Sequence, residues 1–293
     1  MPIVAPMVER SIESADGTRI TYYRIGRGPR AWLMPPAMGA PLVAMKQIVE
    51  RFANDLTIVT WDMRGFYRSG VAARPDAYAV HDHIADMEGV IAAEELDDFV
   101  LGGWSMAVHL SLEYQRLHPG RARALVLIHG PYERVLSSTL LGRDAVLLPL
   151  LAVLRRASPW VTRINRRLFA LPGLAQVLHR TGLLARNPEL FEEVLAEFAT
   201  IDWGRYLAVV EGLHHHSVAA HLGEIRVPTL ITAGTRDLLT PVAVAERLHR
   251  AIAGSELFVV EGGTHYTVTE FPEALCDRIA TFLGASGTAT VTP

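Results

Sequence analysis

Three side chains in this sequence could together break a carbonyl bond: Ser105, Asp237 and His265. Ser105 stands in Gly102-Gly103-Trp104-Ser105-Met106-Ala107, between the apolar run Phe99–Gly102 and a helical pattern that runs to Leu117. A serine on such a strand-to-helix turn holds its hydroxyl above the sheet edge, provided the residues two before and two after it are small. Gly103 meets that condition fully, and Ala107 adds one methyl where glycine is commoner. The hydroxyl is a weak nucleophile at neutral pH. It needs a base within hydrogen-bond reach, and the base needs an orienting acid. Asp237 ends Thr232-Ala233-Gly234-Thr235-Arg236-Asp237 after one buried strand pattern, and His265 ends Glu261-Gly262-Gly263-Thr264-His265 after another. Each residue alone has an ordinary explanation, as helix cap, turn residue or surface loop residue. At three strand ends, in the order Ser, Asp, His, they form the set that acyl transfer requires.

The elements that must position these residues are legible as patterns. Val8–Glu13 and Arg19–Ile25 flank the hairpin dipeptide Asp16-Gly17. Ala31–Met34 reads as a short strand ending at Pro35-Pro36. Pro41 opens a helix to about Asn54, and Leu56–Trp61 is a buried strand. Val80–Glu94 is helical, Phe99–Gly102 a strand, Ser105–Leu117 a helix stopped by Pro119-Gly120, and Ala124–Ile128 a strand. After a break come strand Pro228–Ala233, helix Pro241–Ala253, strand Leu257–Val260 and helix Pro272–Leu283. This alternation predicts an α/β fold, with a mostly parallel sheet and helices on both faces.

The break runs from about Pro131 to Leu222 and holds successive amphipathic helical patterns with almost no strand signal. It carries seven arginines from Arg143 to Arg180 among leucines and phenylalanines; solvated basic faces are the ordinary reading, and a lipid-facing surface is the alternative. The expected division is a core over 1–130, a helical cap over 131–222, the rest of the core over 223–284 and a flexible tail over 285–293.

With these motifs in place, the sequence resembles the α/β-hydrolase fold family, in its group of serine esterases, lactonases and carbon–carbon hydrolases. Trp61-Asp62-Met63-Arg64-Gly65-Phe66-Tyr67-Arg68-Ser69-Gly70 is similar to the family's Asp-x-Arg-Gly-x-Gly-x-Ser segment, with Tyr67 in place of glycine. Arg226-Val227-Pro228-Thr229-Leu230 and Asp237 through Pro241 also match. The resemblance implies an eight-stranded, mostly parallel sheet with a cap inserted after the sixth strand. It also implies an oxyanion hole built from two backbone N–H groups. One belongs to Met106, the residue after the serine. The other belongs to the loop after the third strand, where the family usually has His-Gly and this chain has Pro35-Pro36-Ala37-Met38-Gly39. Proline has no N–H, so Ala37 is the first possible donor and Met38 the next. One such donor is worth roughly 3–4 kcal/mol in kcat. His129-Gly130 follows the sixth strand and so does not supply this loop.

Met38, Trp104, His216 and Tyr266 are candidate substrate contacts, the first, second and fourth beside these residues and His216 in the cap. His214-His215-His216, with His221 nearby, invites a zinc reading. Adjacent helical histidines point about 100° apart and cannot converge on one ion, so no metal is expected. Asp62 resembles a structural loop acid. Glu133 and Asp144 follow the sixth strand, where some relatives keep the triad acid, but Asp237 has the better context. No phosphate loop or dinucleotide fingerprint appears, and no cofactor is expected.

Composition narrows the classes further. Half of the 293 residues are hydrophobic and the net charge is −3, a globular chain with no overall field for nucleic acid. The single Cys276 excludes an internal disulfide. The N-terminus lacks a basic start followed by a long apolar run, and no charge-free apolar stretch reaches spanning length. The expectation is a cytoplasmic serine hydrolase acting on a small, apolar ester, lactone or related carbonyl compound. Carbon–carbon hydrolysis with the same triad, or a receptor-like protein with little turnover, are the alternatives.

Overall fold

The computed structural model describes residues 3–135 and 144–288. Eight strands form one sheet: β1 (Met7–Glu13), β2 (Arg19–Ile25), β3 (Arg30–Leu33), β4 (Leu56–Trp61), β5 (Phe99–Trp104), β6 (Ala122–Ile128), β7 (Thr229–Gly234) and β8 (Glu256–Val260). Their order is β1-β2-β4-β3-β5-β6-β7-β8. The β1–β2 hairpin is antiparallel and β2 runs antiparallel to β4, while every later pairing is parallel. The predicted turn at Asp16-Gly17 closes the hairpin, with Gly17 at φ +81°.

Alternate side chains of the central strands enter two separate cores. Leu33, Val59 and Leu101 pack on one face, and Trp32, Ile58 and Val100 on the other. Helices α2 (Val80–Ala93), α3 (Met106–Leu117) and α9 (Val242–Ala251) cover the first face, and α1 (Lys46–Phe52) and α11 (Pro272–Ala285) the second. Strands buried on both faces read as continuous apolar runs, which is why the sequence marked them so plainly. The helix expected from Pro41 begins instead as a 3-10 turn over Leu42–Met45 and becomes α-helical at Lys46.

Between β6 and β7 the described residues form α4 (Asp144–Arg156), α5 (Ser158–Phe169), α6 (Leu174–Arg180), α7 (Pro188–Phe198) and α8 (Trp203–His214), then a 3-10 turn over Ala219–Glu224. This is the helical insertion that the break in rhythm predicted. Asp144 falls within α4, and its side chain is outside the described ones. A short α10 (Thr267–Glu270), not expected from the sequence, precedes α11. The side chain of Arg30 donates to the carbonyls of Gly287 and Thr288, so the chain is held to Thr288, and 289–293 lie outside the described residues. Among the described residues no helix is long and apolar enough to cross a membrane.

The parallel register fixes what meets at the sheet's C-terminal edge. Trp104 pairs with Ile128, Ile128 with Thr232, and Gly234 with Val260. The residues just beyond these ends are Ser105, His129, Asp237 and His265.

Candidate active site

Ser105 joins β5 to α3 at φ +61° and ψ −118°, a conformation that L-residues rarely adopt. Strain of this kind costs about 1–3 kcal/mol and persists only where the surroundings enforce it. Here its N–H donates to the Ile128 carbonyl of the neighbouring strand at 2.8 Å. The turn is tight enough that a Cβ at Gly103 would lie 3.0 Å from the Ala107 methyl, so the two small residues flanking the serine are packed against each other. A Cβ at Gly130 would lie 2.3 Å from the Ser105 carbonyl oxygen.

His265 Nε2 lies 2.9 Å from Ser105 Oγ, and His265 Nδ1 lies 2.8 Å from Asp237 Oδ2. Asp237 is buried, as is His265. Burial alone would raise the Asp237 pKa. The attraction of the carboxylate for His265 in its protonated form, with hydrogen bonds from His129, His265 and Thr240, outweighs it and holds the carboxyl far below the usual carboxylate range. An ionised carboxylate only accepts, so His265 Nδ1 carries the proton and Nε2 is free to accept from the serine hydroxyl. Oδ1 of Asp237 takes the N–H groups of Leu239 and Thr240, each at 2.8 Å. Oδ2 takes the Thr240 hydroxyl at 2.7 Å.

A second histidine, which sequence reasoning set aside, shares that oxygen. His129 Nδ1 stands 3.3 Å from Asp237 Oδ2, and its Nε2 is 2.8 Å from Thr267 Oγ1. Burial first, and the nearby His265, lower the His129 pKa against the pull of Asp237. It is neutral, its Nδ1–H donating to Asp237 and its Nε2 accepting from Thr267. Like Ser105, His129 has a left-handed backbone, with φ +47°.

The loop after β3 is stapled from the Tyr67 segment. Tyr67 occupies the position of the family's glycine at φ +48°, and its hydroxyl donates to the Gly39 carbonyl at 2.7 Å. The Gly39 N–H faces Met63 Sδ at 3.3 Å, and the Ala40 N–H donates to the Ala37 carbonyl at 3.1 Å. Ala37 and Met106 are both buried. Among the described residues neither backbone N–H has a protein acceptor. Asp62 is structural, accepting from the Tyr23 hydroxyl and the Arg68 N–H.

The profile of the alpha/beta hydrolase fold family matches residues 42–272. The chain belongs to this family. A Caulobacter segnis protein, RutD, whose name carries a provisional assignment as a carbamate hydrolase, is 27% identical over 82% of this chain and 84% of its own length. The 3-oxoadipate enol-lactonase 2 of Acinetobacter baylyi is 22% identical over 89% of this chain and 91% of its own. A thermophilic esterase from Thermogutta terrifontis superposes with a TM-score of 0.76 at 19% identity, covering 95% of this chain and 99% of its own.

In this alpha/beta hydrolase, the helical insertion closes over the sheet edge. A cavity of about 170 Å³ is lined from the core by Ala37, Met38, Trp104, Ser105, His265 and Tyr266, and from the insertion by Phe169, Phe191, Val194, Leu195, Phe198 and Tyr206. It shares Phe169, Phe191, Leu195, Leu239, His265 and Tyr266 with an outer cavity of about 320 Å³, which reaches Leu183, Arg236 and Leu238. Trp104 Nε1 donates to the His265 carbonyl at 2.8 Å, and the two rings are tilted at 5.4 Å. Of the candidate substrate contacts, Met38, Trp104 and Tyr266 line the inner cavity. His216 does not: its Nδ1 meets His109 Nε2 at 2.8 Å and its Nε2 lies 3.4 Å from Glu113, which holds it against α3. It lines a different cavity of about 480 Å³, among Asp76, Glu113 and Glu211. That cavity is larger, but its lining includes no serine or cysteine. The insertion residues were missed, although Phe191, Val194, Leu195 and Phe198 lie at i, i+3, i+4 and i+7, the stripe of one helix face. His214 is buried and His215 exposed, and among the described residues no cluster of three His, Cys, Asp or Glu is arranged to hold a metal.

Proposed function

We propose that this alpha/beta hydrolase cleaves an ester, a lactone or a related carbonyl compound with a hydrophobic portion, through an acyl-enzyme on Ser105. The observation that carries this is the continuous path from Ser105 Oγ to His265 Nε2 at 2.9 Å and from His265 Nδ1 to Asp237 Oδ2 at 2.8 Å. Ser105 Oγ attacks the carbonyl carbon while His265 Nε2 takes its proton. Asp237 keeps the imidazole in the required tautomer and stabilises its charge. The oxyanion accepts hydrogen bonds from the N–H groups of Ala37 and Met106, whose lack of a protein partner supports this role. His265 then returns the proton to the leaving oxygen. Water, losing its proton to His265, attacks the acyl carbonyl, releases the acid and restores Ser105.

The apolar lining supports a hydrophobic acyl or ring portion. The names of the lactonase and esterase relatives point toward the same bond class. A fluorophosphonate probe tests the reading: it labels the native protein at Ser105 and leaves Ser105→Ala unlabelled. Unchanged hydrolysis of short nitrophenyl esters by Ser105→Ala would sink the proposal.

A further inference from the structure

Helix α5 carries its apolar stripe on the outside. Trp160, Ile164 and Leu168, spaced four residues apart, are 65%, 64% and 46% exposed, while the buried residue of this helix is Asn165. A helix that packs only against a protein core turns its apolar stripe inward. The uncovered stripe continues beyond the helix through exposed Leu171, Val177 and Leu183. Leu183 belongs to the rim of the outer cavity, together with Leu238, which is 72% exposed.

The charge on this segment is equally one-sided. Residues 145–188 hold seven arginines, from Arg155 to Arg186, and no aspartate or glutamate, in a chain whose net charge is −3. Arg156, Arg163, Arg166, Arg167 and Arg180 are exposed, and among the described residues none of them forms an ion pair with a carboxylate. The Arg163 guanidinium lies 5.0 Å from the centre of the Trp160 ring.

We propose that this face of the insertion, α5 with α6 and the Leu183–Leu238 rim, docks on the surface of an anionic lipid bilayer. Trp, Ile and Leu side chains enter the boundary between headgroups and acyl chains, and the arginines meet lipid phosphates while their stems cover apolar surface. The protein lies on the bilayer and does not span it. A second copy of the chain fits this face poorly, because a two-fold pairing would set the same unpaired arginines against each other. The docking stands on the surface alone. Its consequence, that an apolar substrate passes from lipid into the outer cavity without crossing water, rests on the function proposed above.

The full-length protein is pelleted with extruded vesicles of phosphatidylcholine containing about one-third phosphatidylglycerol. An arginine near such a surface contributes roughly fivefold in partitioning. Binding is therefore expected to fall at least tenfold on pure phosphatidylcholine, in half-molar salt, and in the triple variant Arg163→Glu, Arg166→Glu, Arg167→Glu. Trp160→Ser with Ile164→Ser also releases the protein, with its thermal melt and its hydrolysis of a water-soluble ester unchanged. Equal binding to neutral and anionic vesicles overturns the proposal. So does absence of vesicle binding by the native protein, or a concentration-dependent dimer in its place that Trp160→Ser dissociates. The first comparison needs no variant, and inactivity on esters would leave the pelleting result intact.

Discussion

His129 Nδ1 and His265 Nδ1 both point at one oxygen, Oδ2 of Asp237, at 3.3 and 2.8 Å. His129 thus helps hold the carboxylate that orients His265, with its own ring fixed by Thr267. In His129→Leu that anchor is gone. A fall in kcat of about tenfold is expected with KM nearly unchanged, the scale of one buried hydrogen bond. His129→Gln, which can still donate, restores most of it. A lowered melting temperature with native kcat would mark His129 as a packing residue only.

The Tyr67 hydroxyl holds the Gly39 carbonyl at 2.7 Å, and Gly39 closes the loop that presents the Ala37 N–H. Tyr67→Phe removes one hydrogen bond, worth about 0.5–1.5 kcal/mol. The expected result is a fall in kcat of roughly three- to tenfold with KM nearly unchanged, because the oxyanion exists only in the transition state. Steady-state kinetics on a nitrophenyl ester reads it. A lowered melting temperature with native kcat would show that the bond stabilises the loop without aiming it.

Asp237→Asn keeps the volume of the side chain but can present a donor to His265 Nδ1, favouring the wrong tautomer. A loss of about 10⁴-fold in kcat is expected, with KM within a few-fold. A loss below tenfold would move the acid's role elsewhere, and Glu133, after β6 and paired with Arg247, would be the first residue to examine.

Stability is expected to fall on the acid side of neutrality. Burial, with the charge of Arg64, lowers His83 from 6.5 to about 3; burial, with His216, does the same to His109. Below pH 6.5 the unfolded chain binds protons at these two positions and the folded chain does not until about pH 3. Stability is therefore complete above about 6.5 and is lost as pH drops through that window. Melting temperatures measured across it should decline, and His109→Gln should reduce the slope by about one proton. A flat profile would contradict the buried neutral state.

The sequence by itself determined the strands, the two-sided sheet, the insertion after β6 and the order Ser105, Asp237, His265. These rest on local physics: apolar runs of strand length, helical periodicity, and turn residues at strand ends. Tertiary structure decided which distant groups meet. His129 was set aside because it follows the sixth strand and not the third; its partner is 108 residues away, and the pairing of Ile128 with Thr232 brings it beside Asp237. His216 lay in the expected region, yet His109 and Glu113 of α3 hold it away from Ser105. The loop that follows Pro35-Pro36 is held by Tyr67, 28 residues beyond Gly39, from a position where the family keeps glycine. Local periodicity carries no record of such contacts, because they exist only once strand order and register have closed the sheet.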